Sequence, residues 1–252
     1  MQIRDDQVET LRQQAARTFE QELQAHLEQL VRGRPGFSPE CSVRYLVSQA
    51  VETSLNYGLT TRGSIRLYAE LMLLFGCGFD TDPLFPWAPK VLHNPYAGDS
   101  ASRAEQLHKL TLHYLAAVAG DDEVLYVRAL ETAALFGIEP CDPRSDGAAA
   151  KISNSLRALY RERCDAAGEY GLLSFSSEVA AAAAKLGNHP LTVASLSLLM
   201  FLFGHRVFDD PLHPWVHTAL RDPSRRGHRL YQDTIRYCER WADYLKDGEV
   251  YV

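Results

Sequence analysis

A segment of 22 residues occurs twice in this chain of 252, and the repeat restricts the possible folds more than any other feature. The first copy, LMLLFGCGFDTDPLFPWAPKVL, covers residues 71–92, and the second, LMFLFGHRVFDDPLHPWVHTAL, covers residues 199–220. The copies align without a gap at an offset of 128 positions. Self-similarity at so long a period is typical of a duplicated unit of several helices. We therefore predict two similar helical halves, residues 1–120 and 121–252, around a pseudo-two-fold axis.

The residues that match between the two copies suit a tight corner between helices. A glycine can end a helix, an Asp-Pro pair can cap and begin one, and a tryptophan can bury a large surface. The matched positions are Gly76 and Gly204, Asp82–Pro83 and Asp210–Pro211, and Trp87 and Trp215. We predict that a short helix begins at each Asp-Pro pair and that the two tryptophans occupy equivalent, largely buried places.

Helical periodicity dominates the rest of the chain, and no alternating strand pattern of useful length occurs. Apolar residues spaced by three or four predict a long first helix over residues 8–30. One helix is predicted over residues 148–171. The segment 191–204 is apolar on nearly every face, which places it in the centre of the fold. The fold class is predicted to be all-α, with both halves packed as one globular helical protein.

The composition excludes several functional classes. A net charge of -6 gives no support to nucleic-acid binding, which needs a basic surface. The amino terminus lacks the apolar core of a signal peptide, and the longest apolar run is too short to span a bilayer. The five cysteines are widely spaced without a CxxC, which favours reduced thiols. We expect a cytoplasmic protein that has no contact with a membrane.

No catalytic constellation is recognisable. The chain contains no GxSxG elbow, no P-loop and no GxGxxG. Asp80, Asp82, Asp209 and Asp210 are candidate paired carboxylates, but only Asp82 and Asp210 coincide in the alignment, and capping explains that position. The numerous tyrosines on helical stretches are typical of core or interface positions. We expect no catalytic residue and no cofactor.

Three histidines form the best candidate metal site. His213 and His217 are spaced i,i+4, so they would face the same way on a helix, and His205 lies nearby. Phe85 and Pro89 hold the positions of the histidine pair in the first copy, and no HExxH signature accompanies the pair. Because two histidines do not complete a site, we expect no metal, and His213 and His217 remain weak candidates.

The stretch YGLTTRGSIRLYAELMLLFGCGFDTDPLFPW resembles a family of poorly characterised bacterial proteins with a YGLT…FG..FDTDP..PW signature. The resemblance covers residues 55–95 most strongly and recurs more loosely at 168–223. Members of this family are often encoded beside type VI secretion effector genes. The resemblance implies an accessory role in a contact-dependent toxin system, as an immunity protein or an effector adaptor, and it supplies no catalytic assignment.

Two functional hypotheses of different classes follow. The first is a non-enzymatic protein that binds a bacterial effector or toxin through a surface or groove where the two halves meet. The second is a metal-assisted hydrolase with a site near His205, His213 and His217. A structural scaffold without a toxin partner is a third possibility. The sequence does not fix the oligomeric state.

Overall fold

The computed structural model describes residues 5–36 and 39–247, and every regular element in these ranges is a helix. The predicted all-α class is confirmed, with the helices packed into one globular unit. The α-helices are, in chain order, α1 (Asp5–Val31), α2 (Pro39–Asn56), α3 (Arg62–Phe75), α4 (Trp87–Leu92), α5 (Ser100–Val118), α6 (Val124–Phe136), α7 (Ala148–Leu159), α8 (Arg161–Lys185), α9 (Pro190–Phe203), α10 (Pro214–Arg221) and α11 (His228–Lys246).

Local chemistry sets several helix ends where the sequence predicts them. Thr61 caps α3 by accepting a hydrogen bond from the backbone N–H of Ser64, and the Ser64 hydroxyl accepts one from the N–H of Thr61. This reciprocal capping satisfies donors that the first turn of a helix leaves unpaired. Glycine follows the last residue of α3 and of α6, at Gly76 and Gly137.

The prediction of one helix over residues 148–171 is wrong. The chain breaks between α7 and α8 at Tyr160, and Gly168, with a φ of 73°, kinks α8. Gly171 continues the helix instead of ending it. A Cβ atom at this position would lie 2.5 Å from the carbonyl oxygen of Pro83, so only glycine permits α8 to approach the first corner this closely.

The helix bounds repeat at the offset of the sequence repeat. Adding 128 to the bounds of α3 gives residues 190–203, which are the bounds of α9. The same addition converts the bounds of α5 into those of α11, residues 228–246. That this correspondence arose by duplication remains a prediction. The division into halves of residues 1–120 and 121–252 also remains a prediction.

The core runs through both halves of the chain. Helix α9 is buried over most of its length, as its apolar surface predicts, and it packs against α8 and α11. Its surroundings include side chains from the first half, such as Phe75 and Phe85, within the same apolar cluster. No helix in residues 5–36 and 39–247 has the length and apolar character that a bilayer crossing requires.

Trp87 and Trp215 occupy equivalent places at the start of α4 and α10, where both are half-buried against the core. Trp87 contacts the rings of Phe75, Phe85 and Tyr114, and Trp215 contacts the ring of Tyr237. The prediction of equivalent places therefore holds, while the burial is partial.

We expect Trp87→Ala and Trp215→Ala each to lower the free energy of unfolding by about 2–3 kcal/mol, below the 3–5 kcal/mol of a fully buried tryptophan. Urea denaturation of both variants measures this. A loss below about 0.5 kcal/mol at either position would contradict equivalent packing roles.

Candidate functional site

The two copies of the repeated segment touch each other at their glycines. Gly76 and Gly204 have φ angles of 96° and 108°, a region that residues with side chains rarely adopt. A Cβ atom on Gly76 would lie 2.8 Å from the carbonyl oxygen of Phe203, and one on Gly204 would lie 2.7 Å from that of Phe75. The ends of α3 and α9 therefore pack backbone against backbone.

Two buried aspartates hold this contact by reciprocal hydrogen bonds. The Oδ2 atom of Asp210 accepts from the N–H of Cys77 at 2.9 Å, and that of Asp82 accepts from the N–H of His205 at 3.3 Å. Each Oδ1 atom accepts from the backbone of its own corner, at Leu84 and Leu212, both at 2.8 Å. Each carboxylate thus joins its own corner to the opposite one.

The predicted role of the Asp-Pro pairs is therefore wrong in one respect. Helix α4 begins at Trp87 and α10 begins at Pro214, several residues after Asp82 and Asp210. The aspartates cap the corner turns instead of the helices. The other two acids are not equivalent to each other, because Asp80 is buried and accepts from the hydroxyl of Tyr57 at 2.6 Å, whereas Asp209 is exposed. The structure assembles no pair of carboxylates for acid–base chemistry from these residues.

Burial raises the pKa of Asp82, although His205 and Arg163 act in the opposite direction. Because the folded-state pKa exceeds the unfolded value of about 3.9, the native state binds more protons than the unfolded state. The contribution of this extra proton binding to stability falls as pH rises through the raised pKa.

We expect Asp82→Asn to lack this pH-dependent contribution. The unfolding free energy of wild type minus that of the variant should decrease as the pH rises above about 4, by at most about 1.4 kcal/mol per pH unit. Urea titrations at a series of pH values above about 4 test it, with Asp209→Asn as the exposed control, and a difference that grows with pH would be inconsistent with the shift.

The structure separates the three histidines of the candidate metal site. His213 precedes α10, with φ and ψ of -125° and 52°, so it does not share a helix face with His217. Its Nδ1 atom lies 2.7 Å from the Tyr237 hydroxyl oxygen, and that of His217 lies 3.1 Å from the carbonyl oxygen of Phe208. His205 instead faces Glu178, at 3.3 Å. Within residues 5–36 and 39–247, no group of three or more His, Cys, Asp or Glu residues is placed to hold a metal ion.

A large cavity lies where the two halves meet, and we call it the junction cleft. Its volume is about 510 Å³, within the range of about 300–1,000 Å³ that is typical of ligand sites. The ends of α1, α3 and α5 line it from the first half, and α6, α8, α9 and α11 line it from the second. The lining includes Leu30, Arg34, Leu74, Phe75, Tyr114, Tyr126, Tyr160, Arg163, Leu202 and Trp241.

Arg163 is the unusual group of the junction cleft. Arg163 is only 7% exposed. Its guanidinium carbon lies 5.2 Å from the ring centroid of Phe85 and 5.3 Å from that of Phe201. Burial acts to lower its pKa, but nearby Tyr114 and Asp82 are among the groups that raise it, and the net shift is upward. The guanidinium therefore remains a cation inside the protein.

This cation has no ion-pair partner among the described residues. It takes part in none of their salt bridges, and its buried Nε atom has no hydrogen-bond acceptor. Asp82 attracts it at longer range, but both oxygens of that carboxylate accept backbone N–H groups. Burying an ion costs several kcal/mol, whereas a desolvated cation–π contact contributes about 2 kcal/mol. Two ring contacts thus offset part of this cost and leave the edge of the guanidinium without an anion.

Three tyrosines lie near Arg163, and a second arginine lines the same cleft. The hydroxyl of Tyr114 is buried without a hydrogen-bond partner, and burial raises its pKa to about 12, so it remains a donor. The hydroxyls of Tyr126 and Tyr160 donate to the carbonyl oxygens of Leu202 and Val118. Arg34 adds a second cation, which donates to the carbonyl oxygen of Leu73 and lies 5.8 Å from the ring centroid of Trp241.

The rim of the junction cleft is open to solvent and includes exposed apolar side chains. Leu30 and Leu74 both line it, and they are 37% and 50% exposed, beside the exposed polar residues Gln29, Arg32 and Glu123. Because Arg163 is only 7% exposed, the leucines lie at the solvent end of the cleft and this cation lies at its inner end. The cleft therefore has exposed leucines at a mixed mouth and a buried cation inside.

Arg163 was not predicted from the sequence, because its segment, YRERCD, contains four charged residues and is typical of a solvated helix face. A signal was nevertheless present. Tyr160, Cys164, Ala167 and Gly171 form an apolar stripe at spacings of three and four, and Arg163 lies beside this stripe on the first turn. An arginine next to such a stripe is a candidate for burial.

Comparisons of this chain with protein-family models, with curated proteins and with solved structures find no match.

Proposed function

We propose that the protein is a non-enzymatic binding protein of the bacterial cytoplasm whose partner is a secreted effector or toxin. The observation that supports binding is the junction cleft, which lies where the two halves meet and has exposed leucines at its rim. The resemblance to proteins encoded beside type VI secretion effectors supports the choice of partner. In this proposal the protein serves as an immunity protein or as an effector adaptor.

The construction of the cleft favours tight binding. Two of its walls, the ends of α3 and α9, are held together by the reciprocal bonds of Asp82 and Asp210. A preorganised site loses little conformational entropy when a partner binds, and a few buried contacts can then dominate the affinity. We propose that a segment of the effector packs on Leu30 and Leu74 and reaches into the cleft.

Co-expression with the products of the adjacent genes tests this function. An immunity protein is expected to rescue cells from a toxic neighbour and to co-elute with it. An adaptor is expected to co-elute with the effector and to be required for its secretion without rescuing cells. If no neighbouring product co-elutes, the proposal fails.

A matched pair of leucine variants tests the location of the binding site. Leu74→Asp places a charge on the cleft rim, whereas Leu112→Asp places one on α5 at a similar exposure of 53% and away from the cleft. We expect Leu74→Asp to weaken co-elution at least tenfold and Leu112→Asp to leave it unchanged, with both variants melting near the wild-type temperature. Equal effects of the two substitutions would exclude the cleft as the binding site.

A further inference from the structure

We propose that the junction cleft binds a carboxylate carried on an apolar body, with Arg163 as the group that contacts the anion. This inference rests on the proposed function only in treating the cleft as a binding site, and it does not require that the partner be a toxin. It is carried by a buried, permanently charged side chain that lines a cavity and has no anionic partner in the described part of the chain.

The geometry around Arg163 leaves one direction for a ligand. Phe85 and Phe201 lie near the guanidinium at 5.2 and 5.3 Å, and such ring contacts do not use its hydrogen-bond donors. The Nε atom lacks an acceptor, and the residue lines the cavity. A guanidinium presents its donors in a fixed fork that matches the two oxygens of a carboxylate. An anion in the cleft would therefore supply the missing acceptor.

A second orphan donor points to the same part of the cleft. The hydroxyl of Tyr114 is buried, has no partner and lies close enough to Arg163 to affect its pKa. Both donors lie without acceptors in the lining of one cavity, although buried polar groups are usually hydrogen-bonded. A carboxylate accepts several hydrogen bonds, so one ligand can satisfy both residues.

The walls determine the rest of the ligand. Leu30 and Leu74 at the rim, together with Phe75 and Leu202, contribute apolar surface to the lining of the cleft. A doubly charged phosphate is more strongly hydrated and more costly to bury than a carboxylate. The geometry thus favours a single negative charge at the inner end, with an apolar chain that leads outward.

Such a carboxylate has two possible sources. It is either a free amphipathic acid or a carboxyl group on the segment of the partner protein that enters the cleft. Both present the same chemistry to Arg163, and the experiment separates them.

Calorimetric titration with decanoate is the first arm, with decanol, decyl phosphate and decyltrimethylammonium as controls. We expect decanoate to bind more tightly than all three controls.

Arg163→Met is expected to weaken decanoate binding at least tenfold, whereas Arg229→Met, at an exposed site, leaves it unchanged. Tyr114→Phe removes only the hydroxyl and is expected to weaken binding several-fold, with exposed Tyr170→Phe as its control. This variant keeps the test informative even where Arg163→Met folds poorly.

Co-elution of Arg163→Met and Arg229→Met with the neighbouring gene products is the second arm. Binding of decanoate that depends on Arg163 identifies a free acid as the source. Loss of co-elution in Arg163→Met without decanoate binding identifies the partner's carboxyl group.

Co-elution that depends on Leu74 but not on Arg163, with no decanoate binding, overturns this inference while the proposed function stands. Decanoate binding that depends on Arg163, with no co-eluting partner, supports the inference while the proposed function fails. Tighter binding of decyl phosphate than of decanoate also overturns the proposed ligand class.

Discussion

Replacing Gly204 with alanine is expected to lower the free energy of unfolding by about 3–5 kcal/mol, and Gly76→Ala by a similar amount. Two costs combine at these positions. Backbone angles in this region cost a residue with a side chain about 1–3 kcal/mol. The new Cβ atom would also lie 2.7–2.8 Å from a carbonyl oxygen of the opposite half, which cannot move without shifting a helix end. Urea denaturation monitored by circular dichroism measures the loss.

Two other glycines separate these costs. Gly58 also has a positive φ, of 72°, but nothing lies within 4 Å of its Cβ position, so Gly58→Ala should cost only about 1–2 kcal/mol. Gly63 lies in α3 without a positive φ or a close neighbour, and Gly63→Ala should be neutral or stabilise by up to about 1 kcal/mol. If Gly204→Ala costs no more than Gly58→Ala, the two corners do not pack as described.

Asp82→Ala and Asp210→Ala are expected to lower the free energy of unfolding by about 2–4 kcal/mol each. Each substitution leaves two backbone N–H groups without an acceptor, one in its own corner and one in the opposite corner. A buried donor that loses its partner costs about 1–3 kcal/mol. Because the hydrogen bonds are reciprocal, the two variants should have similar effects.

Asp209→Ala is the matched control for both variants. Asp209 precedes Asp210 in the chain but is exposed, so its replacement should change the unfolding free energy by no more than about 0.5 kcal/mol. Similar losses for Asp209→Ala and Asp210→Ala would show that removal of a negative charge explains the effect, and that loss of the hydrogen bonds between the corners does not.

Features that depend on local chemistry could be predicted from the sequence. The helix ends at Gly76 and Gly204 follow from the conformational freedom of glycine, and the buried position of α9 follows from its apolar faces. The repeat also indicated that its matched aspartates have structural roles. It did not show that Asp82 and Asp210 reach across to the opposite corner, because their partners are backbone N–H groups, which every residue except proline offers.

The candidate site depends on contacts between distant parts of the chain, so it could not be predicted in the same way. Tyr114, Arg163 and Leu74 come from three helices and meet only when the halves pack together. Spacing offered only His213 and His217 as weak metal candidates, because their separation suits one helix face. The structure does not place them on one face, since His213 lies before the first turn of α10, where the i,i+4 rule does not apply.

A crystal structure of the protein with decanoate tests most directly whether the inner end of the junction cleft holds a carboxylate on Arg163. We expect a carboxylate oxygen about 2.7–2.9 Å from a guanidinium nitrogen of Arg163, with the alkyl chain leading toward Leu30 and Leu74. Decanoate bound in the cleft with its carboxylate away from Arg163, while Arg163 keeps its position between Phe85 and Phe201, would contradict this assignment.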